Sequence, residues 1–167
     1  KINAMENTDL FLKFEVLLDL GDTYTSYGRV QSGMKAYQEC WDLIDEDPDM
    51  SQLIKERFAT PVKIRNIMLP GTYPLPEVGE QNEADQIGYI SLRYAIGVNG
   101  KTANIEVIES DPEGLIDRVA VSAIKKTVYR PVYIEAEPQV SSDINFRHEF
   151  LYSIESKPKK SNQPESE

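Results

Sequence analysis

Hydrophobic positions in the first third of the chain recur with the 3.6-residue period of an α-helix, on both sides of Gly28. The apolar positions are Leu10, Phe14, Leu17, Leu18 and Tyr24 before it, and Val30, Met34, Tyr37, Trp41 and Ile44 after it. Gly28 tolerates a turn, and residues 7–9 offer N-cap side chains to the first helix. Asp47-Pro48 is typical of the start of a third helix, through about Phe58. Residues 1–58 are therefore predicted to form an antiparallel helical hairpin followed by one more helix.

The helical period stops after this segment. Residues 59–87 contain four of the ten prolines and no helical stripe. Proline favours extended chain in the residue before it. We therefore expect residues 59–87 to be an extended linker between two folded parts.

Residues 88–154 follow a period of two, which is typical of strands. The stretch "GYISLRYAI" alternates and leads to Asn99-Gly100, a strong hairpin signal. In "TANIEVIES", Ala103, Ile105 and Val107 are expected on one face. A last alternating stretch, "INFRHEFLYSI", predicts a third strand.

A helix is expected between the second and third of these strands. Asp111 can act as its cap, Pro112 suits the first helical position, and Glu113 favours the positive helix start. Its apolar stripe is Ile116, Val119, Ala120, Ala123, Ile124 and Thr127. The crossover makes the second and third strands parallel, so the first strand is expected between them. The prediction is an α+β fold with a ββαβ domain, a three-stranded sheet and one covering helix, and a disordered tail over residues 155–167.

Charge and hydropathy narrow the functional classes. The 167 residues carry 18 basic and 28 acidic side chains, a net charge of −10, which argues against sequence-independent nucleic-acid binding. No apolar run approaches the roughly 18 residues of a membrane span, and no signal peptide is visible. Because the chain begins at Lys1, we expect a fragment or a processed product.

The sequence offers little chemistry for catalysis. Its single cysteine, Cys40, lies beside Trp41 in a helical stripe and is expected to be a small buried hydrophobe. The single histidine, His148, falls on the inward face of a predicted strand, where a structural imidazole is expected. No residues assemble a nucleophile, a base and an orienting group, or a metal-ligand cluster. The chain is therefore predicted not to be an enzyme and to carry no cofactor or metal.

Residues 88–154 resemble the C-terminal domain of TonB-family energy transducers. The resemblance rests on "YISLRYAI", the Asn-Gly turn, "IEVIES", "LIDRVAVSAI", "YRP" and "INFRHEF", and Tyr73-Pro74 looks like the Tyr-Pro that precedes the family's sheet. The chain departs from the family at Thr72, where a basic residue is usual, and in the acidic link "SDPEG".

The resemblance implies a periplasmic adapter in the envelope of a Gram-negative bacterium. Such domains bind an extended segment of an outer-membrane receptor by adding it to a sheet edge, and they couple it to inner-membrane motor proteins. The family uses the last strand, here about residues 143–153. A membrane anchor is expected to lie outside this chain. The partner-binding side chains expected on that strand are Asn145, Arg147, Glu149 and Leu151.

A second resemblance, to a tetratricopeptide repeat, supports an alternative function. Leu20-Gly21, Tyr24, Gly33 and Tyr37 lie at that repeat's spacing. One helix pair cannot bury its apolar face alone, so we expect either that the array is longer upstream or that this face meets a partner. In this alternative the protein is a periplasmic scaffold or assembly protein, and its TonB-like domain mediates dimerisation or anchoring. The helical partner-binding residues would be Tyr24, Tyr37 and Trp41.

Overall fold

The computed structural model of the protein describes residues 2–73 and 86–152, and only the helical backbone over residues 2–8. The helices of this part are α1 (Ile2–Ser26), α2 (Val30–Glu46), α3 (Met50–Phe58) and α4 (Asp117–Lys126). The strands are β1 (Val62–Arg65), β2 (Thr72–Tyr73), β3 (Gln86–Ile96), β4 (Thr102–Asp111), β5 (Val128–Arg130), β6 (Val132–Ile134), β7 (Glu137–Gln139) and β8 (Ser141–Tyr152). The chain is α+β, with helices first and strands after, as predicted. Within the described ranges no helix is long and apolar enough to cross a membrane.

Helices α1 and α2 form the expected antiparallel hairpin around Gly28, whose φ is +80°. The two helices lie very close, because a Cβ on Gly21 would overlap the Tyr37 ring and one on Gly33 would overlap the Thr25 side chain. The predicted N-cap at residues 7–9 is wrong, since α1 already begins at Ile2. The alanine, methionine and glutamate of this stretch favour helix and extend it upstream.

Asp47 caps the turn that leads into α3, because its Oδ1 accepts the N–H of Asp49 at 2.9 Å.

The core of the helical part is closed by a residue from the strand-rich part. Beyond α3, the rings of Tyr37, Phe58 and Tyr133 pack edge to face, with centroids 5.1–5.7 Å apart. Tyr133 belongs to β6, so the helices and the β6–β7 hairpin share one hydrophobic core.

The main sheet has the strand order β2-β8-β3-β4, with β3 antiparallel to both β8 and β4 as predicted. The predicted count of three strands is wrong for the described residues, because β2 adds a fourth strand parallel to the end of β8. Two small sheets, β1-β5 and β6-β7, also occur there. These additional strands contain two to four residues, too few to give a periodic sequence signal.

The stretch predicted as a linker contributes to these sheets. Val62 of β1 lies opposite Arg130 of β5, and Thr72 of β2 lies opposite Leu151 of β8. Residues 74–85 of the predicted linker, residues 153–154 of the last predicted strand and the predicted disordered tail lie outside the described residues. The division of the chain into domains at these boundaries stays a prediction.

Helix α4 covers the main sheet but begins later than predicted. Asp111 is the last residue of β4, and Gly114, with φ +79°, lies in a turn that delays the helix to Asp117. The predicted roles of Asp111, Pro112 and Glu113 at the helix start are therefore wrong. Of the predicted stripe, Ile116, Ala120, Ala123, Ile124 and Thr127 are buried, whereas Val119 is 48% exposed.

The alternation predicted for β4 is also interrupted. The β3–β4 register shifts twice, and Asn104 adopts a positive φ of 51° at one of the two irregularities. Ala103 then lies opposite Ala95, while Val107 lies opposite Leu92. Since Ala95 and Leu92 point to opposite sides of β3, Ala103 and Val107 lie on different faces of β4. The prediction that they share one face is therefore wrong.

Candidate functional site

The outer edge of β8 is the candidate site. One hydrogen bond shows which backbone groups of β8 point outward, away from β3. The Leu151 N–H donates to the Gly71 carbonyl at 2.9 Å, on the side of β8 away from β3. Because backbone groups along a strand alternate between its two neighbours, those of Asn145, Arg147 and Glu149 face the same side. In the described part of the chain, β2 pairs only with Leu151 and Tyr152. We call residues 145–149 of β8 the open edge.

The four side chains predicted on this strand lie together on the sheet face opposite α4. Asn145, Arg147, Glu149 and Leu151 are all exposed. The guanidinium of Arg147 lies 4.0 Å from the centroid of the Tyr89 ring on β3, and its Nε lies 3.4 Å from Glu149. Tyr89 in turn donates a hydrogen bond to Glu109 at 2.5 Å, and this bond raises the pKa of Tyr89. The edge therefore carries fixed charges, which keep an unpaired strand from aggregating.

The other face of β8, on the side of α4, is aromatic. Neighbouring rings are 6.1–6.4 Å apart in a row made of Phe146, His148, Phe150 and Tyr152, which we call the aromatic row. A cavity of about 200 Å³ lies between part of this row and residues 66–69. An extended peptide on the open edge would alternate its side chains between this aromatic side and the charged face.

The single histidine and the single cysteine both have contacts typical of structural residues. His148 Nε2 lies 3.0 Å from the Pro70 carbonyl oxygen, and its ring lies between Phe146 and Phe150. Cys40 is fully buried, and its burial raises the pKa of the thiol to about 12. The described residues contain no group of three or more histidine, cysteine or acidic side chains that could hold a metal.

The predicted helical partner-binding residues are mostly inside the protein. Tyr37 is 0% and Trp41 7% exposed, and Tyr24 is half-buried. Tyr37 donates a hydrogen bond to Asp22 at 2.8 Å. Since their apolar surface is covered by Phe58 and Tyr133, Tyr37 and Trp41 contribute to the protein's own core and not to an external surface.

A different surface of α1 faces outward and was not singled out from the sequence. Leu12, Val16 and Leu20 are exposed at a spacing of four residues, which places them on one side of the helix. Tyr27, just after the helix, is also exposed. Because α1 is apolar on both sides, its sequence period alone does not tell which side is buried.

Comparison with known proteins places the open edge inside a recognised region. Residues 79–150 match the family described as Gram-negative bacterial TonB protein C-terminal. No curated protein matches the chain. The matched region contains β3, β4, α4 and the open edge. This part of the chain is thus similar to a non-enzymatic protein-interaction domain of Gram-negative cell-envelope proteins, which indicates a periplasmic protein-interaction role.

Proposed function

We propose that the protein is a periplasmic adapter that binds an extended segment of an outer-membrane receptor along the open edge. It couples that receptor to an inner-membrane energy source. The observation that carries the proposal is the row of outward backbone groups at Asn145, Arg147 and Glu149, which have no partner strand within the described part of the chain. The family match at residues 79–150 supports a protein partner.

The backbone of the open edge favours a weak and reversible complex. Three outward residues supply about six N–H and C=O groups for a strand-type ladder. At about 0.5–1.5 kcal/mol net per bond, the gross gain is about 3–9 kcal/mol before the cost of ordering the peptide. After a cost of at least about 4 kcal/mol, the backbone bonds alone support a dissociation constant of about 0.1 mM or weaker, which suits a link that must be released.

Side chains on the two faces of β8 would select the peptide. Arg147 and Glu149 favour polar or charged residues at alternate positions of the peptide. The intervening positions would point toward Phe146 and the cavity beside it, where apolar side chains are favoured. A peptide with alternating apolar and polar residues is therefore the expected ligand.

A nuclear magnetic resonance titration tests this proposal. The probe is a panel of short peptides taken from periplasm-facing segments of outer-membrane receptors. The control peptides have the same composition, with proline at alternate positions to remove ladder donors. We expect amide shifts at Asn145, Arg147 and Glu149 with the unmodified peptides only. Shifts confined to α4 would refute edge pairing.

A second candidate function is the scaffold role, in which the helical hairpin, similar to a single tetratricopeptide unit, docks a partner helix or a second copy. The observation that favours it is the exposed apolar row Leu12, Val16 and Leu20 on α1. A Val16→Glu variant should then lose self-association or partner binding in sedimentation experiments while retaining peptide binding on β8. A wild-type protein that stays monomeric and binds only through β8 would refute this role.

A further inference from the structure

The residues that lead into β2 lie against β8 beside the open edge. We call residues 66–73 the strap. Its Gly71 carbonyl accepts the Leu151 N–H at 2.9 Å, and its Pro70 carbonyl oxygen lies 3.0 Å from His148 Nε2. The Tyr73 ring packs edge-on against Phe150, with centroids 5.3 Å apart. The strap therefore occupies the outward side of β8 at the C-terminal end of the same edge.

Among the described residues, the strap is held on β8 by a short strand and by the packing of Leu69 and Tyr73 against the core of the sheet. Its strand contains only Thr72 and Tyr73. Met68 is 85% exposed, and residues 67–69 line two cavities, one of about 470 Å³ against α4 and one of about 200 Å³ against α4 and β8. The buried Tyr73 hydroxyl has no hydrogen-bond partner among the described residues, which disfavours the docked position. These features are typical of a segment that detaches without global unfolding.

We propose that the strap is a displaceable internal competitor for the C-terminal end of β8. This inference rests on the proposed function and adds a mode of regulation to it. When the strap leaves, the usable edge lengthens from residues 145–149 to residues 145–151, and the outer side of Phe150 becomes free. A peptide that ends beside Arg147 binds without disturbing the strap, whereas a peptide that reaches Leu151 must displace it.

Hydrogen exchange tests displacement without any ligand. The Leu151 amide donates to the strap, whereas the neighbouring Phe150 amide faces β3, where Phe150 lies opposite Gly88. We expect the Leu151 amide to exchange at least about 100-fold faster than the Phe150 amide, because it needs only local opening. Equal rates for the two amides, at the level of global unfolding, would overturn the proposal.

A competition experiment tests the site itself. The probe is a synthetic peptide with the chain's own residues 66–73, added to the wild type, to Tyr73→Ala and to the control Tyr27→Ala, which changes an exposed tyrosine outside the strap. Loss of the Tyr73–Phe150 contact should weaken the attached strap. The added peptide should then bind Tyr73→Ala about tenfold more tightly than the other two proteins, with shifts at Leu151. Equal affinities in all three would overturn the proposal.

Receptor peptides separate this inference from the proposed function. A receptor peptide that spans the whole edge should bind Tyr73→Ala about tenfold more tightly than the wild type, and a shorter one should bind both equally. Weaker binding of the long peptide to Tyr73→Ala would overturn the proposal, because the strap would then be part of the site. If no receptor peptide binds any of the proteins, the proposed function fails, while hydrogen exchange and the chain's own peptide still decide whether the strap is displaceable.

Discussion

A proline at Arg147 gives the sharpest test of the open edge. The Arg147 N–H faces away from β3, so replacing it by proline removes a donor from the partner side and none from the β3–β8 ladder. His148 is the matched control in the next position. It lies opposite Ile90 and its backbone faces β3, so His148→Pro removes a bond of the protein's own sheet. Both substitutions introduce proline and remove one backbone N–H, and the two lost N–H groups point to opposite sides of β8; His148→Pro also removes a ring that lies between Phe146 and Phe150.

The magnitudes of the two effects follow from what each N–H contacts. Arg147→Pro should lower the free energy of unfolding by less than about 1 kcal/mol, since it removes no backbone hydrogen bond and the contacts of the Arg147 side chain with Tyr89 and Glu149 are exposed. His148→Pro should cost about 1–3 kcal/mol for the acceptor left unsatisfied, in addition to backbone strain. For peptide affinity we expect the opposite order, with the larger effect from Arg147→Pro. Arg147→Pro should weaken binding about tenfold, since it removes one bond and places a ring in the path of the added strand.

Urea unfolding and peptide titration measure the two quantities separately. Arg147→Ala is included because it removes the contacts with Tyr89 and Glu149 while retaining the N–H. It should keep most of the peptide affinity and lose part of the sequence preference. If Arg147→Pro binds like the wild type, the ladder is not on this edge. If it unfolds as easily as His148→Pro, the assigned direction of the β8 backbone groups is wrong.

Three further predictions concern the core. Gly33→Ala should lower the unfolding free energy by about 1–3 kcal/mol, because its Cβ would overlap Thr25; an unchanged thermal midpoint would contradict the close helix crossing. Burial raises the pKa of Cys40 from 9.0 to about 12, so the folded state holds the thiol proton more firmly than the unfolded state. Its contribution to stability is full below pH 9.0 and is lost as pH rises toward 12, and the urea midpoint of Cys40→Ala should fall less over this range than that of the wild type. Ala120→Val should lower the free energy of unfolding by about 1–3 kcal/mol, because Ala120 is fully buried. Ala123→Val should lower it by less than about 1 kcal/mol, because Ala123 lies beside two cavities. Equal losses in urea unfolding would refute this difference.

Much of the fold is predictable from local patterns. The helical hairpin around Gly28 and the ββαβ order with β3 in the middle both follow from periodicity, turn residues and the crossover rule. These signals work because each element is long enough for burial of one face to leave a repeated pattern. The predicted start of α4 is too early. Asp111 and Pro112 are typical of a helix start, but the turn at Gly114 delays the helix to Asp117.

The candidate site was also only partly predictable from the sequence. Alternation alone placed Asn145, Arg147, Glu149 and Leu151 on one face of the last strand, and all four are exposed there. The pairing of Leu151 with the strap was not predictable, since a strand of two residues has no period. The use of these residues by a partner stays a prediction.

By itself, the sequence determined the order and type of the long elements and the alternation of side chains along β8. Only the tertiary structure decided which surfaces remain free. Tyr133 of β6 closes the core over Tyr37, and the strap closes one end of β8, in each case through contacts between residues distant in the chain. The physical reason is that a periodic pattern records how much of an element is buried, but it does not record which segment buries it. Identifying that segment requires the positions of the other elements in space.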